Sequence, residues 1–361
     1  MATWSPSVIR QKAGLFLSEQ EQAAIRDKLP AKDGAYCADA VFEGGGVKGT
    51  AFLGALRCFD EVGIHWKKVA GTSAGAITAA LVVADCSIEE LEAVIGALDY
   101  EQDLLSKKTS PFILNRSPED DLDNPQWMVP NLLATQQLGQ YATEPFKQWL
   151  MGVLGDRLRT FTDINWREGR ALKVVVSDIS RGEMLVLPDD LKAPYPGGIT
   201  RALDFEVAEA VRLSMSIPFF FEPGQLGDST IVDGGILSNF PLWIYDVTTL
   251  QTLPRWPTFG FRLTEDNPTR PIKTAIDIFS GMLQTMMSAG DRYHLRRNGQ
   301  GRVIHLNTTG ITATQFNLSN EDKDYLYRQG YEATKTFLLD EWDWKKHLKR
   351  RGYSAEMIES A

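Results

Sequence analysis

Three short segments of this chain carry residue types suited to chemistry on an acyl group. Gly71-Thr72-Ser73-Ala74-Gly75 sets a serine between two glycines in G-x-S-x-G spacing, with an apolar strand before it and an apolar helix pattern after it. In that context a sharp turn presents Ser73 Oγ as a nucleophile. Gly71 and Gly75 remove side chains that would collide, and the helix starting at Ala74 turns its positive end toward the hydroxyl. The same residues also read as a small-residue helix start packed in a core. Earlier in the chain, Glu43-Gly44-Gly45-Gly46-Val47-Lys48-Gly49-Thr50 again joins a strand to a helix. Exposed amides at such a turn make a pocket for negative charge. As a Walker loop the segment fails, because Thr50 stands where the lysine should be. As a dinucleotide fingerprint Gly44, Gly46 and Gly49 fit, but the following strand ends in Ala70-Gly71-Thr72 and not in the acidic residue such a site needs. As an oxyanion hole, the amides of Gly44, Gly45, Gly46 and Val47 would stabilise a tetrahedral intermediate. A tight turn without chemistry is the plain alternative.

A serine nucleophile needs a base. The four histidines are His65, His294, His305 and His347, and none lies in a glycine-rich loop at a strand end. Each reads as structural or surface, and no cysteine/histidine cluster with metal-ligand spacing occurs. The other candidate is Asp233 in Thr230-Ile231-Val232-Asp233-Gly234-Gly235, at the end of an apolar strand and followed by Asn239-Phe240-Pro241. An exposed aspartate is a poor base, but burial raises its pKa, and a direct hydrogen bond from serine would then pass it the proton. Alone, Asp-Gly-Gly is an ordinary turn.

Taken in this order, the three motifs resemble the patatin-like phospholipase family: Gly44 to Gly49 for the oxyanion loop, Gly71 to Gly75 for the elbow, and Asp233-Gly234-Gly235 for the acid. Ser216-Ile217-Pro218 with Phe219 to Pro223 looks like the stretch that precedes the acid in that family. The resemblance spans about residues 39–247, and its overall form is similar to bacterial stand-alone members. It implies a Ser73–Asp233 dyad without histidine, no metal or other cofactor, and lipid acyl hydrolase activity on a phospholipid or other acyl ester. Lys48 then either orients a phosphate or the loop, or is a solvated side chain. A catalytically silent lipid-binding or regulatory protein of the same fold is the alternative, and any need for an activator is left open.

The elements that would position these residues follow from periodicity. Ser18 to Glu21 fits a capping box opening a helix to about Leu29. Asp39 to Phe42, Lys68 to Ala70, Leu172 to Ser177, Glu183 to Leu187, Thr230 to Val232, Phe259 to Leu263 and Val303 to Leu306 read as strands. Val47 to Val62, Ala74 to Ala84, a segment capped by Ser87 to Glu90, Phe205 to Met215, Ile272 to Arg297 and Asn320 to Trp342 read as helices, and Lys107 to Pro130 as a long loop. Alternating strands and helices predict an α/β fold, a three-layer α/β/α arrangement with a largely parallel central sheet. The expected division is residues 1–36 as an N-terminal helical extension, 37–250 as the catalytic unit, and 251–361 as a C-terminal elaboration packed on the same domain.

Composition bounds the partners. The 361 residues carry a net charge of −9, which argues against nucleic acid. Cys37, Cys58 and Cys86 are odd in number and widely spaced, so a reduced, cytoplasmic location is expected. No signal peptide or membrane span is legible. Contact with lipid would be transient. Phe219, Phe220 and Phe221 are candidates for lining an acyl channel. The Met-rich stretch around Met282, Met286 and Met287 and the basic, aromatic segment Trp342 to Arg351 are candidates for membrane contact, though each also reads as core or solvated helix.

Overall fold

A computed structural model describes residues 4–98, 106–107, 138–191, 201–265, 281–282, 285–286 and 301–359, except 33, 248 and 314. The helical reading of Ile272 to Arg297, His294 included, lies outside these residues apart from four positions. The loop expected at Lys107 to Pro130 lies outside them apart from Lys107.

In chain order the elements are α1 (Pro6–Ala13), α2 (Glu19–Arg26), β1 (Ala31–Lys32), β2 (Ala35–Phe42), α3 (Thr50–Val62), β3 (Ile64–Gly71), α4 (Ala74–Val83), α5 (Ile88–Ala97), β4 (Ser106–Lys107), β5 (Gly139–Ala142), α6 (Glu144–Leu154), β6 (Ala171–Asp178), β7 (Glu183–Leu187), α7 (Val207–Ser214), β8 (Phe219–Phe221), β9 (Gly224–Leu226), β10 (Ser229–Asp233), β11 (Thr258–Thr264), β12 (Val303–Asn307), α8 (Asn320–Thr336), α9 (Trp344–Arg350) and α10 (Ala355–Glu359). The α/β architecture is the expected one, a central and largely parallel sheet flanked by helices. Among the described residues its strand order is β12-β11-β2-β3-β6-β10-β9, with β1 paired to β2 and β7 to β6. From β12 to β6 every neighbour is parallel. β10 then runs antiparallel to β6. A separate three-stranded sheet joins β4, β5 and β8.

Side chains alternate across the sheet as a strand period of two requires. Ala38, Ala40 and Phe42 of β2 face the main core, while Val41 faces a smaller cluster with Ala70, Phe240, Leu242 and Val303. Phe42 meets Phe52 of α3 edge-on and stacks on Phe261 of β11, so the glycine loop that follows Phe42 leaves a rigid aromatic platform. Every residue of α4 is buried, as its all-round apolar sequence predicts. The capping boxes at Ser18/Glu21 and Ser87/Glu90 are both formed. Helices α3 and α8 cross at glycines: a Cβ on Gly54 would stand 1.9 Å from the Tyr327 carbonyl oxygen, and one on Gly330 the same distance from that of Ala51.

One expectation about lipid contact changes here. Trp342 and Trp344 are buried, and Trp342 packs edge-on against Phe259 near the start of β11, the sheet end opposite Ser73. The aromatic residues of that segment are core, while Lys345, Lys346, Lys349 and Arg350 form a solvated face. Met282 and Met286 are exposed. The cysteines Cys37, Cys58 and Cys86 are unpaired, and no helix among the described residues is long and apolar enough to cross a membrane.

Candidate active site

Ser73 occupies the turn between β3 and α4 with φ 52° and ψ −125°, a conformation that a residue with a Cβ rarely adopts. The turn is held from three sides. The Ser73 amide donates to Ser214 Oγ at 2.9 Å, and that hydroxyl donates to the Val175 carbonyl at 2.7 Å. Thr72 Oγ1 donates to the Ser238 carbonyl at 3.0 Å. Gly71 and Gly75 are obligatory in the way the motif implies: a Cβ on Gly71 would lie 2.2 Å from the Gly75 carbonyl group, and one on Gly75 would lie 2.3 Å from the Phe42 carbonyl oxygen.

Asp233 arrives from the antiparallel side of the sheet. Its partner on β6 is Val176, while Gly71 pairs with Val174 two residues lower on the same strand. Strands β3 and β10 therefore flank β6, about 10 Å apart by strand spacing, with Ser73 and Asp233 at the same height above it. Asp233 is fully buried. Its amide donates to the Ser216 carbonyl at 2.9 Å, and Oδ1 accepts the Gly235 amide at 2.7 Å. Oδ2 has no hydrogen-bond partner among the described residues. Burial pushes the carboxyl up to about pKa 6; the Gly235 amide and the Ser73 hydroxyl draw it part of the way back. Ser73 thus stands beside the carboxylate and interacts with it, short of a fully formed hydrogen bond. Gly234 is confined too, since a Cβ there would lie 2.2 Å from the Val175 carbonyl oxygen.

The glycine loop packs directly against the elbow. A Cβ on Gly44 would lie 2.2 Å from Asn239 Oδ1 and 3.2 Å from Ser73 Cβ. Of the four expected oxyanion residues, two have committed amides: Gly44 donates to the Asn239 carbonyl at 2.9 Å and Val47 to the Ala313 carbonyl at 3.0 Å. The amides of Gly45 and Gly46 carry no hydrogen bond to the described residues, so the free donors are fewer than the spacing suggests. Gly49 lies behind the loop, 3.5 Å from Ala74 Cβ when a Cβ is added to it. Lys48 is neither solvated nor free; it is buried and paired with Glu265 at 2.5 Å.

Next to Ser73 lies a cavity of about 50 Å³, lined on its apolar sides by Ile77, Ile95, Leu98, Ile217, Phe221 and Phe316. Of the three phenylalanines expected to line a channel, Phe221 does so. Phe220 is buried behind it against Tyr141 and Phe316, and Phe219 is half-buried at φ 69°. No histidine lines this cavity among the described residues. His65 is the second residue of β3, at the far end of the sheet. His347 is buried, with its pKa pushed down to about 3 by burial and by Arg302, Arg351 and Arg350. Among the described residues no group of His, Cys, Asp and Glu is placed to hold a metal ion. Ser214, the bracing of Gly44 by Asn239, and the wall residues Ala313 and Phe316 carry no signal in the sequence.

Comparison with known proteins agrees with the motif order. Residues 40–246 match the patatin-like phospholipase family. The chain is 36% identical over 308 residues to the uncharacterized protein YqhO of Bacillus subtilis (strain 168), covering 83% of this chain and 97% of that one. Among solved structures it is similar to VipD from Legionella pneumophila, with TM-score 0.49 and 16% identity, covering 87% of this chain and 70% of that one. It is also similar to the type III effector protein ExoU of Pseudomonas aeruginosa, with TM-score 0.45 and 15% identity, covering 90% of this chain and 58% of that one. By the span and the order of its motifs, the chain belongs to the patatin-like phospholipase family.

Proposed function

We propose that the chain is a serine lipid acyl hydrolase of phospholipase A or lysophospholipase type, working through a Ser73–Asp233 dyad. One observation carries this reading: the strained Ser73 faces a buried Asp233 whose second oxygen has no hydrogen-bond partner among the described residues and whose pKa is held near 6. A carboxylate so placed is a stronger base than one in water, yet it is ionised at neutral pH. Asp233 takes the Ser73 proton as Oγ attacks the ester carbonyl. The Gly45 and Gly46 amides receive the negative charge on the carbonyl oxygen. The tetrahedral adduct collapses, the ester C–O bond breaks, and the alcohol or lysolipid leaves with the proton held by Asp233. Water then attacks the acyl-Ser73 ester, gives its proton to Asp233, and releases the fatty acid as Ser73 regains its hydrogen. Gly71, Gly75, Gly234 and Gly235 serve by allowing the close backbone approaches of the two turns.

On this reading residues 37–250 form the catalytic unit, 1–36 an N-terminal extension and 251–361 a C-terminal elaboration. The enzyme meets an acyl-ester lipid at a membrane surface transiently from the cytoplasm. The alternative reading is a lipid-binding protein of the same fold without turnover. The test is hydrolysis of a fluorogenic phospholipid and of p-nitrophenyl butyrate by the wild type, Ser73→Ala and Asp233→Ala. A loss on the order of 10³-fold or more in both variants supports the dyad. Activity retained in Ser73→Ala overturns it, and an inert but lipid-binding wild type selects the second reading.

A further inference from the structure

The wall of the Ser73 cavity comes partly from a segment outside the family-matched span. After β12 the chain is pinned at Thr308, which is fully buried and donates both its amide, at 2.7 Å, and its hydroxyl, at 3.1 Å, to the Thr264 carbonyl. It is pinned again at Ser319, the N-cap of α8. Between these anchors it crosses the glycine loop. The Ala313 carbonyl accepts the Val47 amide, and it sits 1.9 Å from where a Cβ on Gly46 would be. Gly46 has φ +56°. The loop is therefore shaped to receive this segment, because a side chain at Gly46 would push it away. Phe316 follows, 8% exposed, with its ring stacked on Phe220 at 5.6 Å and 20°, and it lines the cavity.

The volume decides what this means. Pockets that enclose a whole ligand hold about 300–1,000 Å³, and this one holds about 50 Å³. Among the described residues the rest of its wall comes from α4, the end of α5, the stretch from Met215 to Phe221, the glycine loop and Ala313. Two large rings, Phe221 and Phe316, stand in that wall; Phe221 belongs to β8 and Phe316 to a connecting segment, so Phe316 is the ring whose removal opens room without disturbing a strand.

We propose that Phe316 sets the acyl-chain length accepted at Ser73. With its ring on Phe220 the pocket takes a short acyl group, and a longer chain fits when the ring is displaced. This deepens the acyl-ester reading of Ser73 and rests on it. Each methylene that gains apolar burial is worth about fourfold in binding, and a vacated phenyl ring gives room for a few methylenes.

The experiment uses the full-length chain and p-nitrophenyl esters of butyrate, octanoate and laurate. The readout is the ratio of kcat/KM for laurate to that for butyrate in the wild type, Phe316→Ala and the milder Phe316→Leu. The ratio should rise about tenfold or more in Phe316→Ala, with Phe316→Leu between. Ratios within twofold of the wild type in variants that keep their thermal unfolding transition overturn the proposal. Calorimetric binding of decanoate gives a readout without turnover. Phe316→Ala should tighten it about tenfold, and an unchanged Kd counts against Phe316 whatever the esters do. If the wild type cleaves no ester while decanoate binding responds to Phe316→Ala, the hydrolase reading fails and the pocket assignment stands.

Discussion

Replacing Asp233 by asparagine should abolish activity and stabilise the fold. The carboxyl's pKa rises from 3.8 to about 6 on folding, chiefly through burial. The native state therefore holds that proton more tightly than the unfolded chain does. Stability is lost as pH rises from about 4 to about 6, and the full cost is present above that window. A rise of about two units at 1.36 kcal/mol each amounts to roughly 3 kcal/mol. The group is fully buried, so solvent does not screen this cost away. Asparagine is nearly isosteric. Its Oδ1 can keep the Gly235 amide, its Nδ2 can point at Ser73 Oγ, and it carries no charge at any pH. Asp233→Asn should thus exceed the wild type by about 2–3 kcal/mol at pH 8, with the advantage shrinking to near zero at pH 4. Urea unfolding of both proteins at pH 4, 5, 6 and 8 reads the difference directly. Asp39, whose pKa is also raised to about 6 by burial, titrates in both proteins and cancels. A difference that does not change with pH, or an asparagine variant less stable at pH 8, would mean that the buried Asp233 carboxylate does not destabilise the fold.

Two other substitutions isolate the supports of the site. Asn239 Nδ2 donates to the Gly44 carbonyl at 3.0 Å, so Asn239→Ala should lower kcat about 10- to 100-fold with KM little changed, as the glycine loop loosens; steady-state kinetics showing intact kcat would remove Asn239 from the site. At the elbow, Ser73→Gly should be more stable than Ser73→Ala by about 1 kcal/mol or more, because glycine alone accepts φ 52° without strain. Equal unfolding midpoints would mean that the turn stores no strain.

What the sequence reveals about this molecule is what lies close together along the chain. The elbow, the glycine loop and Asp233-Gly234-Gly235 are each encoded within a few consecutive residues, because a tight turn imposes its glycines locally. Strands and helices around them follow from periodicity for the same reason. Contacts made across long separations leave no such trace. Ser214 is 141 positions from the amide it receives and reads only as the end of a helix. Ala313 and Phe316 sit in a Thr-rich connection without a motif. Strand direction is also silent in periodicity, so the antiparallel β10 that delivers Asp233 was not foreseeable. Other features had a signal that composition hides. Trp344, His347 and Leu348 fall at i, i+3 and i+4, the spacing of an inward helix face, amid lysines that suggest a surface. Helix α1 has Ser5 before Pro6 and Gly14 after its end, which are start and stop signals.

The proposed chemistry depends on Ser73 acting as a nucleophile activated by Asp233. Its most direct test is the rate at which a fluorophosphonate modifies the chain as a function of pH, with the modified residue identified by mass spectrometry. One adduct is expected, on Ser73, forming at a rate that climbs about tenfold per pH unit up to about pH 6 and then levels, and nearly absent in Asp233→Asn. Modification elsewhere, or labelling of Ser73 at the wild-type rate and pH dependence in Asp233→Asn, would contradict it.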